Sequence, residues 1–179
     1  DIYYANVICG QYLPTWRPER DYRESYSADV KLGGGVLRDL SHELDYIAYL
    51  FGDIDNICSI NTKVSNLDIQ SDDIFIAIAH TKDRVIVNVS LDYISKKPMR
   101  KMMVHTKEKT IEADFIQNCI SIYDRNGSDE VIDLGKMNRN DTYNKMHEAI
   151  LNDNYDVACS LKEGLKIVQY IDDIPFRDL

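Results

Sequence analysis

The spacing of hydrophobic and polar positions changes character along the chain. From Ile2 to Cys9 apolar or aromatic residues run almost unbroken, as IYYANVIC, which predicts a strand buried in a sheet. The next stretch, QYLPTWRPERDYRESYSADVKL, keeps no period. Pro14 and Pro18 interrupt any helix there, so it predicts a long ordered loop with one short turn around Tyr22 to Ser27. A helical period follows. At about 100° per residue, Val36, Leu37, Leu40, Leu44, Ile47, Ala48 and Phe51 share one broad side of a helix predicted over Gly35–Phe51. Arg38, His42, Asp45, Tyr46 and Tyr49 gather opposite, and Gly52 supplies the stop.

Beyond Ile54 the period becomes two. NICSINTKVS, DDIFIAIAHT, RVIVNVSLDYI, MRKMMVHTK, KTIEADFI and CISIYDR predict successive strands, with the clearest alternation at Val85, Val87, Val89 and Leu91. Turn chemistry at Lys82–Arg84, Lys107–Lys109, Gln117-Asn118 and RNGSDE predicts antiparallel pairing of neighbours. Two helices close the pattern. YNKMHEAILND has apolar Met146, Ala149 and Ile150, with N-caps offered by Asn140, Asp141 and Thr142. SLKEGLKIVQYIDDI starts on a capping box, Ser160 with Glu163, and carries a stripe of Leu161, Leu165, Ile167, Val168 and Ile171. The expected fold is α+β: an open, predominantly antiparallel sheet of six or so strands with helices on one face. Ile74, Ile76 and Ile78 point one way and Phe75, Ala77 and Ala79 the other. The uncovered face is therefore expected to bury itself against a second copy of the chain, as a homo-oligomer.

Composition narrows the class. The 179 residues fit one domain and carry a formal net charge of −9, which argues against a nucleic-acid partner because phosphate needs a basic face. No apolar run reaches the ~20 residues of a membrane span, and the first residues do not read as a basic-then-apolar signal. Cys9, Cys58, Cys119 and Cys159 are scattered without a C-x-x-C pair. They predict reduced, mostly buried thiols of a cytoplasmic protein, and no metal site. The start, DIYYANVICGQY, is a strand at full strength without initiator methionine, as expected of a piece of a longer protein.

Candidate chemistry gathers at two places. Gly33–Gly35 lead directly into the helix, either as a plain hinge or as a close-approach helix start able to meet an anion. On that helix His42 stands opposite the apolar stripe, where it is no core histidine. In the long loop, Trp16, Arg17, Tyr22, Arg23 and Tyr26 are candidates for gripping a substrate, the arginines for its anionic groups and the aromatics by stacking, joined by Arg38 from the helix. A tyrosine-rich arm that simply packs on a neighbour is the alternative. His80, His105 and His147 are assigned no chemistry. Asp72-Asp73 and Asp172-Asp173 read as solvated turn or helix-end acids.

The segment GGGVLRDLSHELDYIAYLFG resembles the glycine-rich helix that opens the substrate half of the glucose–fructose oxidoreductase/inositol dehydrogenase (Gfo/Idh/MocA) family. The order of strand, irregular loop, GGG helix, meander and terminal helices is similar to that family over essentially the whole chain. GQYLPTWRP…DYRESYSA further resembles a bacterial subgroup linked to cell-surface sugar biosynthesis. The resemblance implies a dihydrodipicolinate-reductase-like C-terminal domain, for substrate binding and oligomerisation, of an oxidoreductase acting on a sugar or nucleotide-sugar with NAD or NADP. It also implies that the partner Rossmann domain, with the family's E-K-P lysine, lies outside these residues: no G-x-G-x-x-G follows a strand here. His42, three residues before Asp45, resembles the family's catalytic histidine, a residue type suited to accept a hydroxyl proton. The family commonly has a carboxylate four residues before it. Arg38 holds that place here and Asp39 stands one nearer, so either the helix start is shifted by one residue or the acid–base pair of His42 and Asp39 is altered. The rival reading is a non-catalytic binding or assembly module with the same fold.

Overall fold

The computed structural model describes residues 1–127, 129–154 and 158–177. Eight strands form one sheet: β1 (Ile2–Gly10), β2 (Ile54–Thr62), β3 (Ile74–Thr81), β4 (Ile86–Asp92), β5 (Met99–Thr106), β6 (Lys109–Asp114), β7 (Cys119–Asp124) and β8 (Asp129–Asp133). Their order is β2-β3-β4-β1-β5-β6-β7-β8. β2–β4 and β5–β8 are antiparallel meanders, and β1 lies between them, parallel to β4 and antiparallel to β5. The four junctions with turn chemistry join antiparallel pairs as expected, β3–β4, β5–β6, β6–β7 and β7–β8, whereas β1 inserts between β4 and β5. At three of the reversals Arg84, Asn118 and Gly127 take a positive φ, as a tight turn favours.

Alternation decides which face is core. Ala5, Val7 and Cys9 of β1, Phe75, Ala77 and Ala79 of β3, and Val87, Val89 and Leu91 of β4 are buried on one face. Helices α1 (Val36–Asp39) and α2 (His42–Phe51) set Val36, Leu37, Leu40, Leu44, Ile47 and Phe51 into the same core. Each such side chain contributes about 1.5–3 kcal/mol relative to exposure. On the other face Ile60, Ile76, Ile78 and Ile86 stand exposed around a hydrogen bond from Asn88 to Asn6 (2.9 Å). Towards β6 that face turns ionic, with Lys101 on Glu112 (2.7 Å) and Asp114 (3.1 Å).

Several expectations are corrected. The helix over Gly35–Phe51 is two helices, broken at Leu40-Ser41. The loop before it holds four 3-10 turns, Leu13–Thr15, Tyr22–Glu24, Tyr26–Ala28 and Val30–Leu32, rather than one. α3 (Arg139–Leu151) starts four residues early: the Asp141 carboxylate accepts the Asn138 N–H (3.1 Å), and only Ala149 of its three apolar positions is buried. α4 (Leu161–Asp172) has the expected capping box, with Ser160 N–H donating to Glu163 (2.7 Å) and Glu163 N–H to Ser160 Oγ (3.3 Å). It buries Ile167 and Ile171 but leaves Leu161, Leu165 and Val168 exposed. Only Cys9 of the four free thiols is buried; Cys58 and Cys159 are exposed. Asp72 and Asp73 are buried rather than solvated: each caps backbone amides, Asp72 that of Leu37 (2.9 Å) and Asp73 those of Val64 (2.8 Å) and Ser65 (3.0 Å).

Candidate active site

The glycines bring α1 into position. A Cβ on Gly34 would lie 2.0 Å from the Tyr26 carbonyl oxygen, and one on Gly35 2.1 Å from Asp72 Oδ1. Gly35 also holds φ 122° and ψ 152°, a conformation close to glycine-only. The chain can thus press against Asp72, whose carboxylate accepts from the Leu37 amide and whose backbone carbonyl accepts from that of Val36 (3.1 Å). Burial pushes the Asp72 carboxyl up, and the Leu37 amide works against that. The bare helix start is already occupied by a side chain of the protein itself.

Asp39 closes α1. Its Oδ2 accepts from Ser27 Oγ (2.6 Å) and from the hydroxyl of fully buried Tyr93 (2.7 Å), and Tyr93 meets Trp16 edge-on with centroids 5.3 Å apart. This chain of contacts ties the N-terminal arm to the end of β4. Asp39 is thus bonded to Ser27 and Tyr93 rather than to the imidazole that sequence spacing offered it.

After the break at Leu40-Ser41, His42 opens α2 with its side chain 49% exposed. Its Nε2 lies 3.1 Å from Oε1 of Glu43, a carboxylate with no exposure at all. Arg100 Nε donates to the same oxygen (2.7 Å), and the Tyr46 hydroxyl donates to Oε2 (2.6 Å). Arg100 is there because Cys9 and Arg100 face each other in the β1–β5 ladder, on the side α2 covers. Phe115 completes the wall, 5.1 Å below the guanidinium and 5.6 Å from the Tyr46 ring. Burial works against the Glu43 charge, yet the hydrogen bonds from His42 and Tyr46 and the charge of Arg100 outweigh it and hold the carboxyl below its usual range. Burial, then the Glu43 charge, push the Tyr46 hydroxyl up and the Cys9 thiol up to about 12.

Donor atoms of Cys9, His42 and Glu43 fall within 4.8 Å of one another. The cluster's charges nonetheless organise it as a hydrogen-bond network. A cation there would displace or oppose Arg100, and the thiol is held protonated.

The proposed gripping residues separate into two groups. Trp16, Arg17 and Tyr22 line a cavity of 430 Å³ in the arm, together with Arg20 and Ser25. Arg23 is committed to Asp21 in a two-pronged pair (2.5 Å at closest), which lowers the Asp21 carboxyl to about 2. Tyr26 is exposed and does not line the cavity, and Arg38 pairs with Asp172 on α4 (3.0 Å). A second cavity of 340 Å³ opens between α2 and α4, one turn beyond His42, lined by Asp45, Tyr46, Tyr49, Cys159 and Lys166. Glu43 and Arg100 are the residues that sequence reasoning missed. Glu43 stood in plain register with the apolar stripe, three after Leu40 and four before Ile47, where a carboxylate signals a buried partner. Arg100 carried no such signal, since only the β1–β5 pairing reveals it.

Fold and site define an α+β open-sheet domain, helix-backed on one face, with an imidazole–carboxylate–guanidinium cluster at the end of its central strands. The chain belongs to the GFO/IDH/MocA family: the model of that family's C-terminal domain matches residues 1–112. Solved structures agree in fold. A UDP-N-acetylglucosamine 3-dehydrogenase, GnnA, from Acidithiobacillus ferrooxidans aligns with TM-score 0.74 at 18% identity, over 97% of this chain and 52% of that one. A levoglucosan dehydrogenase in complex with NADH aligns with TM-score 0.78 at 15% identity, over 97% and 55%. The WlbA dehydrogenase from Bordetella pertussis, in complex with NADH and UDP-GlcNAcA, aligns with TM-score 0.65 at 13% identity, over 96% and 50%. This chain thus spans about half the length of the structures it matches. No curated protein matches it in sequence.

Proposed function

We propose that this chain is the substrate-binding and oligomerisation half of an NAD(P)-dependent oxidoreductase acting on a sugar or nucleotide-sugar. The observation that carries the reading is His42: an accessible imidazole at the first turn of α2, braced by a buried carboxylate, in a chain of this family. Oxidation of a carbinol breaks its O–H and C–H bonds. His42 takes the hydroxyl proton on the ring nitrogen turned away from Glu43, and the new C=O keeps the O–H electron pair. NAD or NADP, held by a Rossmann half outside these residues, supplies the hydride acceptor.

Trp16, Arg17 and Tyr22 offer the arm cavity as the place for the sugar or its anionic group. The names of GnnA and of the WlbA complex carry nucleotide-sugars and that of levoglucosan dehydrogenase a sugar, in keeping with either substrate class, and a role in cell-surface polysaccharide biosynthesis is part of the same reading. Among the described residues no helix is long and apolar enough to cross a membrane. The four free thiols suit a reducing compartment such as the cytoplasm. The exposed isoleucines of the open face fit a second copy of the chain.

The experiment is a calorimetric titration of the 179-residue chain with NADH and with UDP-sugars. Binding of the sugar nucleotide with no micromolar binding of NADH is expected. Micromolar NADH binding by this chain alone would contradict the division of labour, and an upstream half without the E-K-P lysine would favour the non-catalytic assembly module.

A further inference from the structure

Glu43 is costly where it stands. A buried carboxylate carries a desolvation penalty, and a leucine in the same register would pack against β1 and β5 without it. Its charge is nevertheless kept, and three donors converge on it: His42 and Arg100 on Oε1, Tyr46 on Oε2. Around them stand the protonated Cys9 thiol from β1, with Asp92 at the end of β4 acting on that thiol, and the Phe115 ring after β6.

We propose that Glu43 and Arg100 are a pair of positioning residues that set the tautomer and the charge of His42, a role that rests on His42 being the proton acceptor. The carboxylate can only accept, so the imidazole nitrogen against it, Nε2, carries the proton in the neutral ring. Nδ1 is then left with its lone pair for the substrate hydroxyl. A bare carboxylate so close would by itself favour the charged form of an imidazole. Arg100 shares the oxygen that faces His42 and offsets that pull. The guanidinium is itself fixed by the strand register opposite Cys9 and by the face of Phe115. The ring is thereby oriented by one charge and kept ready to accept a proton by the other.

The two charges act on His42 with opposite sign, which a packing role alone does not. The test is the pH dependence of kcat/KM for sugar oxidation in the protein that joins this chain to its dinucleotide-binding half, for Glu43→Gln, Arg100→Met and Arg100→Lys. Glu43→Gln is expected to move the acidic limb to lower pH by about one unit. Arg100→Met is expected to move it to higher pH, and Arg100→Lys to bring it back towards wild type. Titration of the His42 ring protons by NMR in the same variants gives the same shifts without depending on turnover. If Glu43→Gln does not fold, the two Arg100 variants carry the test by themselves. Limbs and ring titrations that stay in place, or that move in the same direction in Glu43→Gln and Arg100→Met, overturn the proposal. A His42→Asn control separates the causes: full activity in that variant removes His42 as the acceptor, whereas lost activity with unmoved limbs removes only the Glu43–Arg100 pair.

Discussion

Gly35 is the residue on which the placement of α1 turns. Its φ of 122° and the 2.1 Å that would separate a Cβ from Asp72 Oδ1 leave no room for any side chain. Gly35→Ala is expected to cost at least about 1–3 kcal/mol from backbone strain, with the clash added, and to weaken the Asp72 cap on Leu37. Urea unfolding measures it; a midpoint equal to wild type would mean that the α1 start relaxes freely. The run Gly33–Gly35 left a plain hinge and a close approach both open in the sequence; Gly34 and Gly35 make the close approach, and Gly33 does not. What they approach was not legible, because Asp72 lies 35 residues away from Leu37 and its DD pair looks like a surface turn. The same distance effect hid Arg100, which holds Glu43 against His42 from 57 residues away. The imidazole could be read from its helical face, but its brace depends on the Cys9–Arg100 register, which only the folded sheet brings together.

At the scale of elements, the periods identified every strand from β1 to β7 and both terminal helices. β8 escaped: its five residues, DEVID, are all exposed, so no alternation of burial shaped the sequence there. The helical period of Val36–Phe51 is continuous even though the helix is not. The break at Leu40-Ser41 comes from tertiary contacts: Asp39 is pulled towards Ser27 and Tyr93, while Glu43 is held over Arg100. An apolar stripe survives a local break, so the pattern could not report it. Insertion of β1 between β4 and β5 was equally silent, because turn residues specify hairpins but say nothing about which distant strand joins an edge. Packing stripes overstate burial where a helix lies at the margin, as Leu161 and Leu165 of α4 do.

For the whole molecule, the open face and the site answer to different tests. Ile78 is 61% exposed on β3, amid Ile60, Ile76 and Ile86, in a sheet whose other face packs into the helix-lined core at β1, β3 and β4. Ile78→Lys removes no core contact, so its effect on the folded monomer is expected to stay within about 0.5 kcal/mol. Light scattering should find wild-type chain as a dimer or larger and the variant shifted towards monomer; a wild-type monomer at high micromolar concentration would mean that something other than a second copy covers that face. The central claim concerns His42, and it is tested most directly by turnover. In the protein that unites this chain with its dinucleotide-binding half, the steady-state rate of NAD(P)H formation from a nucleotide-sugar is measured for wild type and His42→Asn at saturating substrate. The account predicts a fall of roughly 10²–10⁴-fold with unfolding midpoint unchanged. A His42→Asn protein that turns over at the wild-type rate contradicts it.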